Sequence, residues 1–188
     1  MTLIDADYQK QLNRMHAKGK FNNGYKAYRI VDKFFKDYQP TSVLDFGCGK
    51  GALIASVREL NPGIVSEGYD PGNPEFARLP DRTFDAIVST DALEHIEPAY
   101  LDETLRMISS KMDRCGFFRI ACYPAKKKLP DGRNAHLIVE LPEWWRAKVE
   151  AEMGVKIVWE EISVFDKTDK WNWVKGHNYD IVVVKKTA

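Results

Sequence analysis

Thr41 to Gly51, TSVLDFGCGKG, is the stretch that decides the fold. Ser42 to Phe46 reads as a short apolar strand, and Gly47, Gly49 and Gly51 punctuate the turn after it. Ala52 to Leu60 reads as a helix starting at once. Strand, glycine-rich turn and helix together build a cofactor site, because the turn delivers free N–H groups at a helix start. Glycine also lets backbone approach a ligand closely. Asp45, at the carboxyl end of the strand, is placed to accept hydrogen bonds from an amine or a hydroxyl.

The spacing separates this turn from a dinucleotide fingerprint, G-x-G-x-x-G. Here an acid precedes the first glycine, in the order Asp45-x-Gly47-x-Gly49-x-Gly51. An acid at that point repels a pyrophosphate and suits a ligand carrying an ammonium. A nicotinamide oxidoreductase on a similar sheet is therefore disfavoured. The segment resembles the first motif of the class I S-adenosylmethionine-dependent methyltransferases. The resemblance assigns Asp45, Gly47, Cys48, Gly49 and Gly51 to the methionine half of S-adenosyl-L-methionine.

Downstream, Ile64 to Tyr69 reads as the second strand and ends at Asp70. Asp70 stands 19 positions beyond Gly51, where an acid holds the hydroxyls of a ribose. It matches the family's ribose-binding acid, and Pro71 beside it turns the chain away. Only 13 residues then separate Asp70 from the next strand, Phe84 to Ser89. A helix-strand-helix connection does not fit, since a crossover alone needs ~10–12 residues. A short remnant third strand is expected at Phe76 to Leu79, with Asp81 the nearest acid to the family's adenine-contacting position.

Phe84 to Ser89 leads into Asp91-Ala92-Leu93-Glu94-His95, which resembles the family's fourth motif. By that resemblance Asp91 and Ala92 line cofactor and acceptor. A helix from about Ala99 to Met112 and a strand from Phe117 to Tyr123 follow. The loop Pro124 to Asn134, PAKKKLPDGRN, then carries Lys126, Lys127, Lys128 and Arg133, which suit an anionic acceptor. His136 stands before a helix at Leu141 to Met153, where small methyltransferases often carry a histidine. His95 and His136 are the candidate catalytic residues, needed as a base only if the acceptor is a hydroxyl or a protonated amine. Val155 to Phe165 and Tyr179 to Lys185 suit a closing antiparallel hairpin, with Trp171, Trp173 and His177 in its link.

The expected fold is thus a three-layer Rossmann-like α/β sheet, mostly parallel with one antiparallel strand, order 3-2-1-4-5-7-6, with the strand 3 region shortened. The resemblance covers residues 41–188. Residues 1–40 are expected to form a helical extension, with helical spacing at Leu3 to Met15 and a second helix at Tyr25 to Tyr38. In this family such an extension often covers the cofactor.

The chain has 188 residues, enough for one core, and 44% of them are hydrophobic. Its 28 basic and 27 acidic residues leave a net charge of +1, which gives no general pull towards nucleic acid. No apolar run approaches the ~20 residues of a membrane span. Cys48, Cys115 and Cys122 have no metal or redox spacing and suit a reducing compartment, most simply cytoplasm. The expected activity is methyl transfer to a small molecule or a nucleotide. A nucleic-acid methyltransferase and a non-catalytic cofactor-binding subunit are the alternatives. No metal is expected, and oligomeric state is left open.

Overall fold

The computed structural model describes residues 3–17, 24–169 and 172–186, with the side chains of 24–27 and 165–175 outside that description. Trp171 lies outside it altogether, and so does the side chain of Trp173. In chain order the elements are α1 (Ala6–Ala17), α2 (Gly24–Tyr38), β1 (Ser42–Phe46), α3 (Ala52–Leu60), β2 (Val65–Tyr69) and β3 (Phe84–Thr90). Then come α4 (Leu101–Lys111), β4 (Met112–Ala121), α5 (Pro142–Met153), β5 (Val155–Asp169) and β6 (Asn172–Lys185).

The six strands form one sheet, ordered β2-β1-β3-β4-β6-β5. β2, β1, β3 and β4 are mutually parallel, and β6 runs antiparallel to both of its neighbours. This is the expected family order without its third strand. Residues 71–83 form a series of turns instead of a strand. Backbone bonds Asp70 N→Phe76 O, Asn73 N→Asp70 O and Phe76 N→Asn73 O curl the segment back on itself. The Asn73 side chain then fastens it to the glycine turn, donating to Gly49 O at 2.7 Å. The expected strand at Phe76 to Leu79 is therefore replaced by a short cover for that turn.

Strand alternation sorts the core into two layers. Val43, Ala86, Val88 and Phe117 point to one face and pack with Val31, Phe34 and Phe35 of α2 and Leu53 and Val57 of α3. Leu44, Ile87, Phe118 and Ile120 point to the other and pack with Leu105 and Ile108 of α4 and Trp145 and Val149 of α5. β3 is buried on both faces, which accounts for its continuous apolar run. The chain leaves β1 towards β2 on one side and later returns to β3 on the other. That reversal opens a crevice beyond the carboxyl ends of β1 and β3, where ligands bind in open α/β sheets.

α1 lies across this crevice. It packs with Leu129 and Ala135 of the β4–α5 loop rather than on the sheet. Among the described residues no helix is long and apolar enough to cross a membrane.

Candidate active site

A cavity of about 880 Å³ fills the crevice. Its floor is the carboxyl end of β1 and the turn after it: Asp45, Gly47, Cys48 and Gly49. Asp70 and Pro71 form one end wall. Asp91 and Ala92 stand opposite, with His95, His136, Lys126 and Lys127 beyond them. The roof is α1 and the residues before it, through Ile4, Tyr8, Leu12 and His16.

Gly47 has φ +79, and a Cβ there would sit 2.3 Å from Ala92 Cβ. The turn after β1 and the turn after β3 therefore touch only because the residue is glycine. Gly51 differs from the expectation. It is absent from the cavity wall, and its missing side chain leaves room for the Phe76 ring, 2.6 Å from a built Cβ. There it lets the 71–83 turns pack against the loop. Asp81 is also outside the cavity, fully exposed and 3.9 Å from Lys111 Nζ. Trp144 is partly exposed beside Lys148, away from the cavity, while Trp145 is core.

The two acids of the floor and end wall are both buried. Desolvation, with a smaller push from Asp70, raises the Asp45 carboxyl to about 8. Asp70 Oδ2 accepts from Gly49 N and its Oδ1 from Gly72 N, each at 2.8 Å. Burial pushes its pKa up, and His16 and the two amides pull the other way. His16 Nε2 lies 3.8 Å from Asp70 Oδ1, so α1 reaches the end wall directly. Gln9 Nε2 adds a bond to Pro71 O at 2.9 Å.

At the far end α1 makes a second set of contacts. Tyr8 Oη donates to His95 O at 2.7 Å, and Asp5 N donates to Glu97 Oε2 at 3.0 Å. The His95 and His136 rings meet edge to face with centroids 4.8 Å apart. His95 Nδ1 lies 2.6 Å from Ala135 O, and His136 Nδ1 is bonded to Tyr123 O. Desolvation first, then His136, lowers the His95 pKa to about 4. Glu94, just before His95, is wholly buried. Desolvation and then Asp91 raise its pKa, opposed by the amides of Glu94 and Ala121. Asp91 itself adopts φ +52, a strained conformation of the kind found at functional sites.

Every predicted site residue except Gly51 thus meets at one cavity. The sequence reading passed over Tyr8, His16 and Glu94 as site residues. Tyr8 and His16 belong to a helix with no motif, and only the fold brings them here. Glu94 had a signal, a carboxylate between Leu93 and His95 in an apolar segment, that went unused.

The donor set fits S-adenosylmethionine. The buried acid Asp45 would suit a ligand ammonium, Asp70 with spare acceptor capacity would suit hydroxyls, and the glycine turn leaves the backbone bare. The family described as methyltransferase domain matches residues 19–183 of the chain. No curated protein sequence matches it. Among solved structures, it is similar to the 1,6-didemethyltoxoflavin-N1-methyltransferase of Burkholderia thailandensis, seen with 1,6-didemethyltoxoflavin and S-adenosylhomocysteine. There the TM-score is 0.65 and the identity 18%, over 96% of this chain and 90% of that one. A SAM-dependent methyltransferase from Archaeoglobus fulgidus gives 0.58 at 18% identity, over 87% and 95%. Magnesium protoporphyrin IX methyltransferase of Synechocystis, with S-adenosylhomocysteine, gives 0.56 at 14%, over 86% and 83%. At such identities the likeness is one of fold, and the family match carries the assignment: the chain belongs to the Rossmann-like S-adenosylmethionine-dependent methyltransferases.

Proposed function

We propose that this chain transfers a methyl group to a small molecule or a nucleotide inside the chamber roofed by α1. The observation that carries this reading is the roof. Its volume of about 880 Å³ lies within the ~300–1,000 Å³ usual for small-ligand sites. α1 is bonded at both ends of the chamber, to Pro71 O and to His95 O. A polymer would need an open groove instead.

S-adenosylmethionine supplies a sulfonium methyl that is already electrophilic. The chain's residues therefore chiefly hold and orient. Asp45 pairs with the ammonium, and Asp70 accepts the ribose hydroxyls. Pro71, Cys48 and the bare amides of Gly47 and Gly49 shape the cofactor half, while Asp91 and Ala92 divide it from the acceptor half. His95 and His136 belong to the acceptor half, where they receive the acceptor's polar group. α1 excludes water, which strengthens each electrostatic contact beneath it. On this reading α1 acts as a lid on the domain formed by 41–188, while α2 packs on that domain's sheet.

Lys126 and Lys127 line the acceptor end, which favours an acceptor with an anionic group. Arg133 pairs with Asp131 at 2.8 Å and lies 3.8 Å from Glu97. Cys48, Cys115 and Cys122 are all free and buried, consistent with a reducing, cytoplasmic setting.

The test is transfer of labelled methyl to panels of small anionic molecules, nucleotides and RNA. Transfer to a monomeric acceptor is expected, with a KM that rises with ionic strength because the attraction is screened over ~8 Å at physiological salt. Changing Lys126 and Lys127 to Ala should flatten that dependence. Transfer to polynucleotide alone would overturn the small-acceptor reading. Cofactor binding without transfer to any panel would favour a non-catalytic role.

A further inference from the structure

Glu94, His95 and His136 form a cluster that holding a cofactor and an acceptor does not explain. Glu94 is wholly buried in the short turn Leu93–His95; the amides of Glu94 and Ala121 lie near its carboxylate, but neither oxygen meets a donor in good hydrogen-bond geometry. A carboxylate in that state is costly, and buried charges are ordinarily paired or coordinate a metal. One donor atom from each of the three side chains lies within 4.8 Å of the others. His136 Nε2 is 4.0 Å from Glu94 Oε1.

The histidines are set up by their other nitrogens. His95 Nδ1 faces Ala135 O at 2.6 Å, and His136 Nδ1 faces Tyr123 O. A carbonyl oxygen only accepts, so both Nδ1 atoms carry the proton. In a neutral imidazole the Nε2 is then the nitrogen with the lone pair. A backbone carbonyl on the far nitrogen is the support that fixes the tautomer and orientation of metal-ligating histidines.

We propose that Glu94, His95 and His136 bind one divalent first-row transition cation of the zinc or manganese kind at the acceptor end of the chamber. Two imidazoles and one carboxylate suit such an ion, whereas magnesium and calcium prefer all-oxygen sets. Metal–nitrogen bonds of about 2.0–2.1 Å place neighbouring donors about 3.0–3.4 Å apart. The observed spread of up to 4.8 Å is wider, so on this proposal the three donors draw together when the ion binds. Three protein ligands leave at least one position open. Because His95 and His136 are on the chamber wall, that position faces the acceptor. The acceptor class it selects is one presenting an oxygen, such as a hydroxyl. That last step rests on the methyl-transfer reading, and the cation site itself does not.

The test uses Co²⁺ as a spectroscopic probe on the chelator-treated full chain, with no cofactor or acceptor present. Visible absorption should saturate at one equivalent. The proton spectrum of the wild type should gain two hyperfine-shifted exchangeable signals, one from each Nδ1–H. Glu94→Gln should weaken Co²⁺ binding by at least about tenfold. His177→Ala, whose ring is outside the cluster, should leave it unchanged. No saturable binding, or saturation without shifted imidazole signals, overturns the proposal. So does equal affinity in a folded Glu94→Gln variant, and if that variant does not fold the wild-type spectrum decides alone. A failure of methyl transfer with the Co²⁺ result intact would overturn the functional reading and leave the site standing.

Discussion

Asp70 Oδ2 and the amide nitrogen of Gly49 are 2.8 Å apart. One hydrogen bond thus ties the end of β2 to the turn after β1, and the expected ribose acid also supports the loop proposed to hold the methionine half. Asp70→Ala removes both functions. It should weaken S-adenosylmethionine binding roughly 10- to 100-fold, since a hydrogen bond to a charged group contributes ~1.5–3 kcal/mol. Asp70→Asn keeps one acceptor and should lose less. Calorimetric titration of the three proteins decides, and equal affinities would remove Asp70 from the site.

Gly47 and Gly49 both have positive φ, yet their surroundings differ. A Cβ at Gly47 meets Ala92 Cβ at 2.3 Å, whereas one at Gly49 first meets His16 Cε1 at 3.9 Å. Gly49→Ala should cost only the left-handed strain, about 1–2 kcal/mol, seen as a Tm drop of a few degrees. Gly47→Ala must also push the β1 and β3 turns apart, so it should lose more stability and most cofactor binding. Thermal melts and titrations that rank the two variants equally would contradict the packing described.

Asp45 gives a pH signature. Its carboxyl titrates near 8 in the folded chain against an ordinary 3.8. Between those values the folded state holds a proton that the unfolded state has lost, so stability is highest below the unfolded pKa and falls as pH rises towards 8. Asp45→Asn should show a flatter stability profile over that window in denaturant titrations. An ammonium beside Asp45 favours its ionised form, so cofactor binding below pH 8 should release a proton in the wild type and not in the variant. Calorimetry in two buffers of different ionisation enthalpy reads this directly. Equal heats, corrected for dilution, in both buffers would take Asp45 away from the ammonium.

The sequence showed most clearly those parts whose causes are local. Ser42–Phe46 and Ala52–Leu60 form with the expected bounds because glycines and an apolar run fix them within a few residues. β4 begins at Met112 rather than at the expected Phe117, so Asp113 and Arg114 belong to the strand. In the fold they lie on the exposed start of the strand, where Arg114 Nε pairs with Asp85 at 2.7 Å. The turns of 71–83 were misread as holding a strand because their bonds run to Gly49 and within the segment, which no periodicity records. The roof was readable only as a helical pattern. That Tyr8 meets His95 and His16 meets Asp70 depends on contacts 87 positions apart in one case, set by the fold alone.

The central claim is that the cofactor lies on the Gly47–Gly49 turn between Asp45 and Asp70. At 21.6 kDa the chain is suited to amide chemical-shift mapping, and S-adenosylhomocysteine is the ligand to titrate. The account predicts saturation at one equivalent, with the largest changes at the amides of Gly47, Cys48, Gly49, Gly72 and Ala92. A folded chain that shows no saturable change, or whose changes fall instead on the β5–β6 hairpin, would contradict it.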